Sequence, residues 1–415
     1  MSALRARTVA LEDLTPADHE RWADLVDRAV EPNPFLSPAY LATAARHLPA
    51  ARGIVAVVVE DDDAMHAFLP LSRARRFART PLRYATTAGP FLGSEAPLCV
   101  PLVDAERPVE TLGVLLDHLS TRASGLPGLL ELTLVPVGGR FDEALVAACR
   151  EHDVPLVERY RFERAAFVPT ASGPPPHQAL STSRRKQVER LKRRLERAVG
   201  PLVMTDAGLD PDAFDEFVRL EAAGWKGTTD EGGALQVVPG ALDWFTDVVD
   251  DLRARGRLHL FVLTAGDEVV FISVVLRAGD RLYSLMDTYD ERFAKFSPGS
   301  IGRVLEQEHV LSHTDASLFD PCLHPRYTVP SGLYRDRRTL RGIVVAPRGV
   351  VGRALLRNSA SLRALATRAG DAVARVQRVL ARGRGLIDRP GATKRPVPTT
   401  DASPESVQPS PQEPS

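Results

Sequence analysis

Three apolar runs, at 258–264, 269–277 and 282–287, follow one another with only Ala265-Gly266-Asp267 and Ala278-Gly279-Asp280 between them. Connections that short join antiparallel neighbours, because a parallel return needs a crossover of a dozen or more residues. The stretch therefore reads as the middle of an antiparallel sheet. Helical spacing surrounds it. Segments 183–199 and 242–255 are helix-like, as is the run from Asp210-Pro211 to about Ala223. Ser297-Pro298 opens a further helix reaching about Ser312, since Ser suits an N-cap and Pro the first helical position. Short strands at 202–206 and 317–319 complete an α/β unit spanning 183–345.

Residues 1–170 read as a first α/β unit. Amphipathic helices near 16–30 and 38–47 precede strands at 54–60 and 64–71, which are joined by Asp61-Asp62-Asp63. A strand at 83–87, a helix at 109–124, a strand at 129–137, a helix at 141–152 and a strand at 158–168 follow. The linker, 171–182, contains three consecutive prolines, which block helix and extend the backbone. The similar size and element order of the two units hint at a duplicated fold. From Arg335 to Arg389 there are 14 Arg against three Asp, a net +11. Within this, 346–388 carries apolar residues at helical intervals and reads as a basic amphipathic helical segment. Residues 389–415, rich in Pro and Ser, are expected to be disordered.

The whole chain is neutral, with 53 Lys+Arg against 53 Asp+Glu, so a wholly basic nucleic-acid coat is excluded and DNA is not an expected partner. The three cysteines, Cys99, Cys149 and Cys322, have neither zinc spacing nor the density of a disulfide scaffold. No metal is expected. The opening residues lack an apolar signal-peptide core, and no stretch of about 18 apolar residues spans a membrane. A cytoplasmic protein is the expectation, with the basic segment at 346–388 able to touch the inner membrane face.

Three segments can carry chemistry. The first, DTYDERFAKFSPGSIGRVLEQ, runs from Asp287 to Gln307. It joins a strand end to a helix whose first turn is bared by Gly299 and Gly302. Such a helix start presents unpaired N–H groups to an anion, although an ordinary capped helix looks the same. The second is Glu221-Ala-Ala-Gly-Trp225-Lys226-Gly227, which places an aromatic and one of only five lysines at a helix end. These residues either line a cleft or leave Trp225 in the core and Lys226 in water. The third, at 183–197, has eight basic and two acidic residues with Val188, Leu191 and Leu195 as its docking stripe. Its wet face, including Arg184 and Lys186, is able to hold phosphates or is simply solvated.

In this order the segments are similar to the C-terminal half of the CelD/BcsL-type (BioF-like) acetyltransferases of the GNAT superfamily, relatives of the Fem-type transferases. The pattern is a basic helix, E-x-x-G-W-K-G, the strands RLHLFVL, EVVFISVVLRAG and RLYSLMDTYD, then FAKFSPGSIG. NPFLSPAYLATAARHL in the first half resembles that family's opening segment. The resemblance covers roughly residues 10–340.

The resemblance implies two tandem GNAT-like acyltransferase folds, each a mixed, mostly antiparallel sheet flanked by helices. It implies acetyl-CoA or another acyl-CoA as co-substrate and a small-molecule amine as acceptor, with a cell-envelope or polysaccharide role as one setting. The thioester would lie between strands 282–287 and 317–319, with its pyrophosphate at Ser297, Pro298, Gly299 and Ser300. Glu221 and Asp287 are candidate bases. Tyr289 and Tyr327 are candidate acids. Arg184, Lys186, Trp225 and Lys226 are candidates for holding the acceptor. The usual GNAT phosphate loop survives only as Gly299 and Gly302, and Thr328 stands where the family often has Lys after Tyr327. Two further readings are a Fem-type transferase using aminoacyl-tRNA and a non-catalytic assembly protein. The missing helical-hairpin insertion disfavours tRNA.

Overall fold

The computed structural model describes residues 3–73, 82–92, 95–170, 173, 175–223 and 233–358. Trp225, Lys226 and the basic segment and tail from 359 onward lie outside the described residues.

The chain begins with strand β1 (Arg5–Ala10), helices α1 (Pro16–Arg28) and α2 (Thr43–His47), and strands β2 (Val55–Glu60), β3 (Met65–Arg73), β4 (Tyr84–Thr86) and β5 (Leu102–Val103). Next come α3 (Pro108–Ser120), β6 (Leu129–Pro136), α4 (Arg140–Glu151) and β7 (Leu156–Ala166). The second half contains α5 (Thr182–Ala198), β8 (Leu202–Asp206), α6 (Pro211–Ala223), α7 (Ala241–Ala254), β9 (Leu258–Ala265), β10 (Glu268–Ala278) and β11 (Arg281–Tyr289). It continues with α8 (Pro298–His313), β12 (Leu318–Asp320), α9 (Thr328–Ser331), β13 (Asp336–Val345) and α10 (Val350–Arg357).

The architecture is mixed α/β, with two mostly antiparallel sheets flanked by helices. The first runs β1-β2-β3-β4-β6-β13-β7, with β5 beside β3, and the second β12-β11-β10-β9-β8. The two share a plan. In each, four strands pair antiparallel in sequence order, and the fourth then pairs parallel with the next: β4 with β6, and β11 with β12. A helix makes each parallel crossover, α3 in the first unit and α8 in the second.

Three local expectations are corrected. No strand was expected at β1, whose Arg5 and Arg7 break the apolar pattern but are held by Glu60, Asp62 and Asp18. The helix expected at 38–47 opens as a wide π-type turn over Pro38–Ala42 before α2. The second unit was expected to reach 345, yet its last ten residues, β13, lie between β6 and β7 of the first sheet. Backbone pairing along both edges holds β13 there, and Leu340, Ile343 and Val345 are fully buried.

Aromatic packing also joins the halves. The NPFLSPAY segment puts Phe35 edge-on to Tyr283 and Tyr40 edge-on to Trp244, with ring centroids 5.7 and 5.1 Å apart. The Trp244 indole N–H donates to the Tyr40 carbonyl at 3.1 Å, and the Tyr283 hydroxyl to the Pro32 carbonyl at 2.6 Å. A buried charge network lies alongside. Asp320, on β12, accepts from Arg164 of β7 at 2.6 Å and from Arg338 of β13 at 3.0 Å. Glu31 pairs with both Arg338 and Arg281. Burial opposes the Asp320 charge, but the two guanidiniums hold its carboxyl below the usual range.

Candidate active site

β11 and β12 pair only from Arg281↔Leu318 to Tyr283↔Asp320. β12 ends there, while β11 runs on to Tyr289. Leu285 is an extra residue in β11, because Val275 faces Ser284 and the next residue, Val274, faces Met286. Such a bulge bends and twists a strand locally. Beyond it, Ser284 to Tyr289 have no strand on their β12 side among the described residues. A splay between the two strands was expected; among the described residues β12 ends after its three paired residues and only β11 continues.

The chain leaves β11 through a 3-10 turn at Glu291–Phe296 and enters α8. Ser297 is the N-cap of this helix and Pro298 its first residue, as expected. Ser297 takes a left-handed conformation, with φ 51°, and its side chain makes no capping bond. Its carbonyl accepts from the Ser300 and Ile301 N–H groups at 3.0 and 3.2 Å, so the backbone turn replaces the cap. Pro298 has no N–H to place. Gly299 is buried, and a Cβ there would sit 3.6 Å from both Arg303 Nη1 and Tyr289 Cδ1. The helix start is therefore a small cradle walled by a cation and an aromatic ring. Those features suit a phosphate group. At Gly302 there is no such room, since a Cβ would lie 2.4 Å from the Phe271 ring. This glycine serves the packing of helix on sheet.

Behind the cradle is a buried polar cluster. Arg303 Nη2 pairs with Asp287 at 2.6 Å. Burial works against the guanidinium, but Asp287 keeps it charged. Glu306, one turn on, is 1% exposed, and its Oε1 has no hydrogen-bond partner. Burial pushes its carboxyl up to about 8, helped by the Asp287 charge and opposed by the Ser273 hydroxyl bond and Arg303. The Ser273 hydroxyl is 3.3 Å from that of Ser284, across β10 and β11. Tyr334 is also buried, and burial together with the Glu306 charge holds its phenol well above the ordinary range.

The structure brings Asp287, Tyr289, Pro298 and Gly299 together, with Ser297 and Ser300 at the rim. It places the other candidates elsewhere. Glu221 is buried on α6, where its Oε2 accepts from the Leu235 N–H at 3.1 Å. Tyr327 lies after β12, its hydroxyl accepting from Arg326 at 2.8 Å. Arg184 Nη1 donates to the Val329 carbonyl at 2.7 Å and packs on Gly332, so it ties α5 to that loop. Lys186 is exposed on α5. Arg303, Glu306, Ser273 and Tyr334 were missed. The available signal was Arg303, Glu306 and Gln307 on a helix that otherwise turns Ile301, Val304 and Val310 inward.

Among the described residues there is no group of three or more His, Cys, Asp or Glu able to hold a metal, and no helix is long and apolar enough to cross a membrane.

Residues 182–310 match the acetyltransferase (GNAT) domain family, a span that holds β11 and the start of α8 and ends before β12. Three solved structures resemble the chain more distantly. FemX is 11% identical, covering 77% of this chain and 95% of its own, with a TM-score of 0.47. The C-terminal domain of a putative lysylphosphatidylglycerol synthetase from Agrobacterium fabrum is 11% identical over 83% and 96%, with a TM-score of 0.47. A tandem GNAT protein from the clavulanic acid biosynthesis pathway is 15% identical over 83% and 99%, with a TM-score of 0.41. No curated protein matches the sequence.

Proposed function

We propose that the protein is an N-acyltransferase that takes an acetyl or longer acyl group from a CoA thioester and passes it to a small-molecule amine. The observation that carries this reading is the cradle at Gly299, set beside Tyr289 at the end of β11, beyond the stretch that pairs with β12. A bound acyl-CoA would supply an acyl carbonyl activated on sulfur. Pro298, Gly299 and Arg303 would hold its pyrophosphate, with Ser297 and Ser300 at the edge. The edge of β11 from Ser284 to Thr288, which has no strand on its β12 side among the described residues, offers backbone N–H and C=O groups to the extended arm and to oxygen charge developing at the carbonyl.

Asp287 belongs to this stretch of β11 and is a quarter exposed, so it is the group assigned to take the amine proton. Arg303 holds it in place. Tyr289, whose ring walls the cradle, is assigned to line the phosphate end of the donor, because the length of the pantetheine arm keeps that end away from the leaving sulfur. Glu221 and Tyr327 act by position in this reading, the first through Leu235 and the second through the loop after β12. The setting in envelope or polysaccharide chemistry is part of the proposal and rests on the sequence resemblance alone.

Thermal unfolding with CoA, acetyl-CoA and longer acyl-CoAs tests it. A ligand at about 100 times its dissociation constant adds roughly 2.7 kcal/mol to the native state, which moves the midpoint by degrees. Gly299→Ala should keep the shift, because its Cβ meets only ordinary contacts. Gly299→Glu should abolish it by filling the cradle with a negative charge. Absence of a shift with every thioester counts against the proposal.

A further inference from the structure

The outer face of α5 is the floor of a groove of about 680 Å³, large enough for a substantial ligand or the face of a partner. Six cations line it: Arg185, Lys186, Arg190, Arg193, Arg194 and Arg197. At about 1.5 Å per residue they extend over about 18 Å. One acid, Glu189, sits among them. At one end, the Arg194 guanidinium lies 5.7 Å from the centre of the Phe296 ring, next to Ser297 and the start of α8. At the other, His177 Nδ1 is 2.6 Å from Glu308, further along the same helix. The groove thus begins beside the cradle and leads away from it.

We propose that this groove docks the acidic face of a carrier protein that delivers the acyl group on a phosphopantetheine arm. The inference rests on the acyl-transfer reading and names its donor class. Such an arm and CoA present the same thioester and the same first phosphate. They differ beyond that phosphate, which is where the groove lies. The nucleotide end of CoA carries two further phosphates, the second of the pyrophosphate and the one on the ribose, which a few of the six cations would satisfy. An acidic protein face can meet the whole row.

Other polyanions fit less well. Glu189 stands amid the cations and would repel a uniform phosphate backbone, whereas a protein face can oppose it with a donor. No Phe, Tyr or Trp lines the groove to stack a base. Val188, Leu191 and Leu195 are all buried, so α5 has no apolar edge to enter a bilayer. The transfer itself is balanced. The amine nitrogen forms the C–N bond, the C–S bond breaks, and the proton lost by nitrogen ends on the carrier's sulfur, giving an amide and a free thiol.

The test is binding of the full chain to a bacterial acyl carrier protein bearing acetyl-phosphopantetheine, at about 50 and about 300 mM salt. The comparison is the double variant Arg190→Glu/Arg193→Glu, at two exposed positions. The expected result is salt-sensitive binding that weakens at least about tenfold in the variant. The acetyl-CoA thermal shift should persist in the variant and fall far less than carrier binding, because the nucleotide end of CoA meets only a few of the six cations. An intact acetyl-CoA shift with no carrier binding overturns the docking proposal alone. Loss of both overturns the acyl-transfer reading beneath it. Binding of single-stranded RNA or phosphatidylglycerol vesicles that the variant abolishes, with the carrier inert, overturns the choice of partner.

Discussion

Glu306→Gln should remove a specific pH dependence from the stability of this protein. The carboxyl titrates near 8 when folded and near 4.5 when the chain is open. Between those values the folded protein keeps a proton that the unfolded chain has released. Stability from this group is complete below about pH 4.5 and declines as pH rises toward 8. Each pH unit in the window costs about 1.4 kcal/mol, so moving from about pH 5.5 to about 7.5 costs about 3 kcal/mol. With an unfolding entropy of about 2.1 cal/mol/K per residue, that is a drop of about 3 °C if the chain melts as one unit and about 8 °C if the second unit melts alone. The glutamine preserves shape and can still meet Ser273, but it does not titrate. Midpoints of both proteins, recorded by circular dichroism across the window, should therefore diverge as pH rises, with the variant the more stable at the alkaline end. Parallel curves would refute the reasoning, because they would mean that Glu306 ionises in the folded state as it does in water.

Other consequences are equally direct. Gly302→Ala should lower stability in urea by about 1–3 kcal/mol, since its methyl would enter the Phe271 ring. Asp320→Ala should cost about 3–5 kcal/mol by stranding Arg164 and Arg338 without their shared partner, and a loss under about 1 kcal/mol in the same assay would contradict a buried network. Burial pushes the Cys99 and Cys149 thiols up to about 12, and Cys322 is also well above its ordinary value. All three should react slowly with a thiol reagent at pH 8 in the native state and quickly in denaturant; a fast native thiol would contradict this.

Much of the second unit was legible because its segments are amphipathic and end in turn residues. The strand expected at 202–206 has those bounds, and the strands around Ala-Gly-Asp pair as the short turns require. β1 escaped notice because RARTVA places two arginines in a short run, and the carboxylates that hold them lie on distant segments. The placement of β13 was equally hidden. No strand was expected there, because Arg337, Arg338 and Arg341 break the apolar pattern, and which sheet it joins depends on β6 and β7, some 170 residues away. At the site, Ser297-Pro298-Gly299 announced a helix start. The left-handed turn at Ser297 did not show, because serine more often caps by its side chain. Arg303 and Glu306 were not singled out, because their charges on a helix give no sign that the fold turns them onto Asp287 and Ser273.

β13 also sets a timetable. During synthesis, β6 and β7 emerge early and have no strand between them until Asp336–Val345 follows about 170 residues later. At ribosomal speeds of about 5–20 residues per second, the gap stays open for roughly ten to thirty-five seconds. Throughout that interval two hydrogen-bonding edges wait for one ribbon, and the ribbon of a neighbouring nascent chain fits as well as the chain's own. Two molecules that exchanged these ribbons would need no contact that the single chain does not already make, so crowded expression favours an intertwined dimer built by trade alone.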